Sequence, residues 1–258
     1  MPYLFDYLPL VEEMAKRSPF GVITGVYNTS LNRHLSSLSR RLPLVAAVSE
    51  GPVQELRESM AAGKILLMGY NGLERWVRGR VELWEGAQVY LERVEASYSA
   101  LESLIDIEGV SLSRRSIWII VDYSKAPFPE EARRSLLRIV ADSTLTRDLQ
   151  VVEDSGRIEM HPPFAVDKGF AVRALVKEFK LRGALYLGGQ AQDVGAFTAV
   201  RYLSFGESFK GLSVAVMDEA SPLVLERNAD CSLAGIRDVE RFLAWVDRQT
   251  ARPSKGQK

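Results

Sequence analysis

The sequence contains little histidine and cysteine, no excess of either charge and no long apolar run. Its one cysteine, Cys231, has no partner for a disulfide within the chain, which favours a reducing compartment. The two histidines, His34 and His161, are far apart and do not have the spacing of metal ligands. Lys plus Arg and Asp plus Glu each number 33 among 258 residues, so the formal net charge is +0. That balance gives no indication of a nucleic-acid partner.

A membrane partner is equally unsupported by the sequence. No apolar run reaches the length of a transmembrane helix. The first segment, "MPYLFDYLPLVEEMAKR", carries acids within its apolar pattern, unlike a signal peptide. Hydrophobic residues make up 47% and charged residues 26%, which is typical of a soluble globular protein. We therefore expect a cytoplasmic protein that binds neither nucleic acid nor membrane.

Strand-like and helix-like patterns alternate along both halves of the chain. The apolar runs "FGVITGV", "LPLVAAVS" and "KILLMGY", and later "GALYLGG" and "GLSVAVM", predict buried strands separated by helices. This alternation is typical of an α/β fold with a doubly wound parallel sheet. The middle of the chain differs, with a hairpin around Gly79, a long helix from Gly86 to Leu104, and strands on either side of one helix. We expect a Rossmann-like core, 1–101 and 165–258, interrupted by an inserted α/β cap domain, 102–164.

Ligands of a doubly wound sheet bind at the carboxyl ends of its strands. The places to inspect are therefore after Gly25, after Val48, near Lys168 and after Leu187. Three of these places carry "VITGVYNTSL", "GRIEMHPPFAVDKGFAVRAL" and "YLGGQAQDVGAF", and Ser49 in "AVSEGP" follows Val48. A further segment, "YNGLE", follows the third strand. Together they resemble the motifs of the haloacid dehalogenase-like (HAD) phosphatases, and within that superfamily those of the trehalose-6-phosphate phosphatases. The resemblance implies the same Rossmann-like core with an inserted cap.

The resemblance also indicates which chemical groups are missing. The first motif of the family is Asp-x-Asp-Gly-Thr-Leu, and "VYNTSL" has Val26 at the nucleophilic aspartate and Asn28 at the general acid/base. Valine cannot form an aspartyl-phosphate, and asparagine cannot carry a proton at neutral pH. In the fourth motif, Gly189 and Gln190 replace the paired acids that hold magnesium, while Asp193 is retained. These degenerate positions imply no catalytic residue, no metal site and no cofactor.

The family residues that this sequence retains are those that bind the phosphate. By the resemblance, the Ser49 hydroxyl bonds the phosphate and Lys168 neutralises it. Ordinary alternatives stay open, because Ser49 or Asp193 can cap a helix and Lys168 can be a solvated residue. Similarly, Glu159 can pair with Arg157, and the "SRR" clusters at 39–41 and 113–115 are interpreted as solvated faces. The candidate phosphate- and ligand-binding residues are Asn28, Thr29, Ser30, Ser49, Lys168 and Asp193 in the core, with Arg115 and Glu159 in the cap.

Three functions stay open at this point. The first is a catalytically inactive relative of the phosphatases, a pseudophosphatase, that binds a sugar phosphate or inorganic phosphate in a regulatory or assembly role, with a protein partner or as a homo-oligomer. The second is an active phosphatase that converts trehalose 6-phosphate to trehalose and phosphate, with Mg²⁺ and with Asp122 or Asp193 in a new role. The third is a structural or interaction protein with a vestigial pocket. Loss of the chemical groups favours the first over the second. Retention of Ser49 and Lys168 favours it over the third.

Overall fold

The computed structural model describes residues 4–16, 19–60, 63–142, 144 and 146–251. The chain forms two compact units, one made of residues 1–82 and 166–258 and the other of residues 83–165. The sequence pattern predicted that the insert begins at 102, a position that lies inside a helix of the second unit. The second unit therefore begins earlier than predicted, because this helix packs within it.

The described residues form twelve strands and ten α-helices. In chain order the strands are β1 (Phe20–Thr24), β2 (Leu44–Val48), β3 (Leu66–Gly69), β4 (Glu74–Val77), β5 (Arg80–Leu83), β6 (Ser111–Arg115), β7 (Trp118–Asp122), β8 (Gln150–Asp154), β9 (Arg157–His161), β10 (Gly183–Gly188), β11 (Lys210–Met217) and β12 (Cys231–Ala234). The α-helices are α1 (Leu8–Lys16), α2 (Asn32–Leu38), α3 (Val53–Ser59), α4 (Glu85–Gln88), α5 (Leu91–Leu104), α6 (Pro129–Asp142), α7 (Lys168–Glu178), α8 (Val194–Leu203), α9 (Leu223–Asn228) and α10 (Gly235–Ala251). Short 3₁₀ turns are Leu4–Tyr7, Thr29–Leu31, Tyr70–Gly72 and Ala191–Asp193.

An eight-stranded sheet organises the first unit, with the order β12-β11-β10-β1-β2-β3-β4-β5. The six strands from β12 to β3 are parallel, and β4 runs antiparallel to β3. The strand order reverses direction at β1, which lies between β10 and β2, as a doubly wound sheet requires. The α/β class predicted from the alternating pattern is confirmed.

Helices cover both faces of this sheet, so its central strands are apolar throughout. β1, β2 and β10 are buried along their whole length. Successive side chains enter two separate apolar clusters, with Val22 and Leu185 in one and Ile23 and Tyr186 in the other. Residues of α1, α2, α3 and α10 complete the first cluster, and residues of α7 and α8 complete the second. Burial on both faces is the reason that these strands read as unbroken hydrophobic runs.

The second unit has a four-stranded antiparallel sheet with the order β6-β7-β9-β8. Alternate residues of its central strands are fully buried, among them Ile119 and Val121 of β7 and Ile158 and Met160 of β9. Helix α5 contacts both β7 and α6. The α/β character expected of the insert is therefore present.

Three details differ from the sequence-based expectation. The helix expected from Gly86 to Leu104 is split into α4 and α5 at Val89 and Tyr90, where the Tyr90 ring packs edge-on against Phe164 with centroids 5.1 Å apart. Helix α9 and strand β12 were not predicted.

β12 has only four residues, and its inward side chains include Cys231, which is fully buried. Burial, with a smaller effect of the neighbouring Asp230, raises the pKa of the Cys231 thiol to about 12.

None of the described helices combines the length and the apolar character needed to cross a bilayer.

Candidate functional site

The carboxyl ends of β1, β2 and β10 lie side by side at one edge of the large sheet. Thr24, the last residue of β1, is in register with Ala47 of β2 and Leu187 of β10. The register continues one residue further, because the Gly25 amide donates to the Leu187 carbonyl at 2.8 Å. The sequence-predicted loops therefore meet here, at what we call the strand-end site. Lys168 enters the same site from the first turn of α7, which begins after Asp167 caps it by accepting from the Phe170 amide.

A carboxylate with four hydrogen-bond donors lies at the centre of the strand-end site. Asp193 Oδ1 accepts from Lys168 Nζ at 2.8 Å and from the Tyr186 hydroxyl at 2.7 Å. Asp193 Oδ2 accepts from the backbone amides of Gly189 and Gln190 at 2.8 and 2.9 Å. We call this set the Asp193 cluster. Asp193 does not cap α8 through its side chain; it completes a capping box with Gln190 at the 3₁₀ turn before that helix and pairs with Lys168.

The Asp193 cluster is closed to solvent. The Lys168 and Asp193 side chains are 1% and 0% exposed, and Tyr186 is fully buried. Burial, and next the Asp193 charge, raise the pKa of the Tyr186 phenol well above its usual value of 10.0, so the phenol keeps its proton and donates it. Lys168 is therefore not a solvated helix residue. It is a buried cation whose charge is neutralised inside the protein.

Glycine is required next to this cluster. A Cβ on Gly25 would collide with Asp193 Oδ1 and approach the Tyr186 hydroxyl to 2.8 Å. The backbone after β1 thus packs directly on the cluster. The next residue, Val26, lies beside Gly189, where an added Cβ would be 3.3 Å from Val26 Cγ2 and 3.4 Å from the Val216 carbonyl. An apolar contact therefore stands where the resemblance expected a nucleophile facing metal ligands.

Magnesium does not fit the residues of the strand-end site. The cation needs oxygen ligands with free lone pairs, usually from one or two carboxylates. Asp193 already accepts four hydrogen bonds, and the neighbouring positions hold Val26 and Gly189. Within the described ranges, no group of three or more His, Cys, Asp or Glu side chains is arranged to hold a metal ion.

The loop after β1 is exposed and bonds mainly to itself. Asn28 Oδ1 accepts from the Ser30 amide at 3.0 Å and from the Thr29 hydroxyl at 3.4 Å, so Asn28 caps the short 3₁₀ turn that follows. Asn28, Thr29 and Ser30 all face solvent. The structure therefore brings these three predicted residues to the strand-end site, with two of their hydroxyls accessible from outside.

Ser49 lies at the end of β2 and does not cap a helix. Its Oγ accepts from the Gly51 amide at 3.0 Å, while α3 begins only after Pro52. The Tyr27 hydroxyl lies 3.3 Å from Ser49 Oγ, a contact that the sequence did not suggest. Ser49 is 5% exposed, so this serine and Tyr27 form a small hydroxyl pair beside the loop after β1.

A second carboxylate, Glu50, adds negative charge to the strand-end site. Burial is the main reason that its pKa is raised above the model-peptide value, and the Asp193 charge adds to the shift. The positive charge of Lys168 acts in the opposite direction and lowers the pKa of Glu50. The sequence reasoning overlooked Glu50, Tyr27 and Tyr186. Only Glu50 had a usable signal, since it directly follows Ser49 in "AVSEGP".

The two candidate residues of the second unit are not adjacent to each other in its sheet. Arg115 is exposed at the end of β6, opposite Trp118 of β7. Glu159 lies on β9, half-buried and opposite Ile120 of β7. Strand β7 therefore separates the two side chains.

Arg157 does not provide the ion pair suggested for Glu159. Its guanidinium donates to Asp122 at 3.0 Å instead. The Asp122 carboxylate also accepts from the Ser124 hydroxyl and amide, and these bonds, followed by Arg157, lower its pKa. A carboxylate held in its charged form is a poor general acid at neutral pH.

The Asp193 cluster predicts an unequal effect of removing its two charges. Asp193→Asn leaves a buried ammonium without its counter-ion, and we expect it to lower the free energy of unfolding by about 3–5 kcal/mol. Lys168→Met should cost less, because Asp193 keeps three donors. Urea unfolding at neutral pH measures both. The matched control is Asp238→Asn, which breaks the exposed pair with Arg241 and should cost less than about 1 kcal/mol. An Asp193→Asn cost no larger than that of the control would contradict the role of the cluster.

The buried phenol predicts a loss of stability at alkaline pH. The unfolded chain releases the Tyr186 proton above about pH 10, whereas the folded chain retains it, so the free energy of unfolding falls as pH rises past that value. Tyr186→Phe should cost about 1–2 kcal/mol near neutral pH, and its deficit relative to the parent protein should shrink above pH 10. Urea unfolding across this pH range tests it, with the exposed Tyr202→Phe as control. A deficit that stays constant with pH would argue against the raised pKa.

Comparison with known proteins identifies the fold. No protein-family model and no curated protein sequence matches the chain. Among solved structures, a trehalose-6-phosphate phosphatase related protein matches with a TM-score of 0.60 at 17% identity, over 89% of this chain and 97% of that one. Trehalose-6-phosphate phosphatase of Aspergillus fumigatus matches with a TM-score of 0.57 at 18% identity, over 96% and 99% of the two chains.

A haloacid dehalogenase-like hydrolase from Bacteroides thetaiotaomicron also matches, with a TM-score of 0.53 at 12% identity, over 90% of this chain and 99% of that one. At sequence identities this low, the structural similarity shows a shared fold and does not show a shared reaction. The doubly wound sheet, the inserted second unit and these matches over nearly whole chains lead to one conclusion: the protein has the haloacid dehalogenase-like fold, in the form shared with the trehalose-6-phosphate phosphatases.

Proposed function

We propose that this chain is a non-hydrolytic relative of the phosphatases whose fold it shares, and that it binds a phosphorylated sugar or inorganic phosphate without a metal cofactor. One observation carries the non-hydrolytic part of the proposal. The carboxylate retained from the metal-binding motif, Asp193, has both oxygens occupied by four donors of the protein itself.

The groups around Asp193 support the same conclusion. Val26 offers no nucleophile, and Asn28 is engaged as a local cap and has no proton to transfer at neutral pH. Hydrolysis of a phosphate monoester needs acceleration of up to about 10²¹-fold. A site without a nucleophile, an acid/base and free metal ligands does not supply such a factor.

We assign the anion to the outer part of the strand-end site. The loop Asn28–Ser30 presents two exposed hydroxyls there, and the Ser49 hydroxyl, 5% exposed, lies beneath them in this proposal. Lys168 is too buried to touch a ligand, so in this proposal it holds Asp193 in place. Glu50 repels a dianion and limits its affinity. Arg115 and Glu159, on the second unit, stay candidates for sugar recognition on the strength of the resemblance alone.

A second function is favoured by a specific observation. The one cation at the centre of the strand-end site is neutralised by Asp193, which is what a vestigial pocket in a structural or interaction protein requires. In that case the chain acts through a protein partner or a second copy of itself, and phosphate has no site. An active phosphatase is the third alternative, and it needs Mg²⁺ to displace donors from Asp193.

A thermal-shift titration with a parallel assay for released phosphate separates the three functions. The ligands are inorganic phosphate, glucose 6-phosphate and trehalose 6-phosphate, each with and without Mg²⁺. A ligand that binds only the folded state raises the melting temperature. We expect a shift without phosphate release and without dependence on Mg²⁺.

Two variants locate the binding. Ser49→Ala should weaken phosphate binding about fivefold to tenfold through loss of a charge-assisted hydrogen bond. Glu50→Gln should strengthen it, because one repelling charge is removed. Glu58→Gln, on the exposed face of α3, is the control of equal charge change and should leave binding unaltered. If no ligand raises the melting temperature, the structural or interaction protein is favoured. If Mg²⁺-dependent phosphate release exceeds that of a Val26→Ala preparation of equal purity, the active phosphatase is favoured.

A further inference from the structure

A second cleft lies at the opposite edge of the large sheet, at the amino ends of β2 and β3. Its volume is about 510 Å³. The start of β2 at Leu44, the start of β3 at Leu66 and the end of β4 at Val77 form its floor, because antiparallel β4 ends where β3 begins. All its lining residues belong to the first unit. We call it the basic cleft.

The charge of the basic cleft has one sign. Arg40, Lys64 and Arg78 line it, and its described lining residues include no carboxylate. All three cationic side chains are exposed. Within the described part of the chain, none of the three forms an ion pair. A chain with a formal net charge of +0 thus concentrates three uncompensated cations at one cleft.

Arginines close to these in sequence behave differently. Arg41, next to Arg40, pairs with Asp247. Arg75, on β4, pairs with Glu178 at 2.5 Å, and Arg80, two residues after Arg78, pairs with Glu82 at 2.9 Å. These three arginines are thus neutralised, unlike the three cationic residues that line the basic cleft. The interpretation of "SRR" at 39–41 as a solvated face does not cover this arrangement, because its middle arginine lines a concave site and its last one is paired.

The walls of the basic cleft are apolar and partly aromatic. Trp76 and Phe179 line it, together with Leu42 and Ile65. Arg57 lies over the Trp76 ring, 4.5 Å from the ring centroid, which helps to fix that ring in place. A cleft of this volume, lined by both cationic and apolar side chains, offers contacts to a ligand that has an anionic and an apolar part.

We propose that the basic cleft binds a small organic pyrophosphate, a ligand with a nucleoside-diphosphate type of chemistry. Arginine guanidinium groups match phosphate oxygens bidentately, and a lysine adds a point charge. Three cations balance the charge of a diphosphate. The apolar walls contact the organic part of the ligand. This site shares no residue with the strand-end site and does not depend on the function proposed for it.

Calorimetric titration of the full-length protein with ADP and with inorganic pyrophosphate tests the proposal. We expect saturable binding of ADP with one site per chain, and weaker binding of pyrophosphate, which lacks a group for the apolar walls. Rising salt concentration should weaken both, since the cations are exposed. Arg78→Gln should weaken ADP binding about tenfold by removing charge-assisted hydrogen bonds.

Arg80→Gln is the matched control for Arg78→Gln. It removes the same charge from the same hairpin, but from an arginine already paired with Glu82, and should change ADP affinity less than twofold. Ser49→Ala should leave ADP binding unaltered. The proposal would be overturned if ADP did not bind, or if Arg78→Gln and Arg80→Gln weakened binding equally. It would also be overturned if Ser49→Ala abolished ADP binding while Arg78→Gln retained it. Pyrophosphate binding as tight as that of ADP would overturn the role of the apolar walls.

Discussion

The buried ion pair between Lys168 and Asp193 is the constraint on which the strand-end site depends. Two ions removed from water are costly unless every remaining polar atom is satisfied. Here the Tyr186 phenol and two backbone amides donate the remaining hydrogen bonds to the Asp193 carboxylate. Gly25 has no side chain, which leaves room for that carboxylate. The pair links the start of α7, the middle of β10 and the turn before α8. A carboxylate committed in this way has to lose hydrogen-bond donors before it can coordinate a metal.

The two edges of the large sheet differ in charge for a reason that follows from this pair. At the strand-end site, Asp193 and Glu50 carry two carboxylates against the single ammonium of Lys168. At the opposite edge, the three cations of the basic cleft form no ion pair within the described part of the chain, whereas Arg75 and Arg80 pair with Glu178 and Glu82.

Sequence reasoning succeeded where burial leaves a pattern and failed where the partner is distant. The central strands were recognised because both faces are covered, whereas β12 is too short to show a period. The missing nucleophile at Val26 was visible as a change of residue type. The role of Tyr186 was not visible, because a tyrosine in a buried strand is normally interpreted as a core residue. Only the fold brings Asp193 to its hydroxyl, with Lys168 bound to the same carboxylate. Likewise, Arg41 and Arg40 look alike in sequence, and only the fold supplies Asp247 to one of them.

The connectivity of the large sheet has a consequence for the order of assembly. Its central strand, β1, is completed by β10, and the contact between Thr24 and Leu187 spans 163 residues. The whole second unit lies within that interval and is continuous in sequence. During synthesis its contacts can form while β1 still lacks one neighbour. Closing so long a loop is slow for an open chain. A second unit that becomes compact first replaces part of that loop by a folded domain, which lowers the entropy cost of bringing β10 to β1.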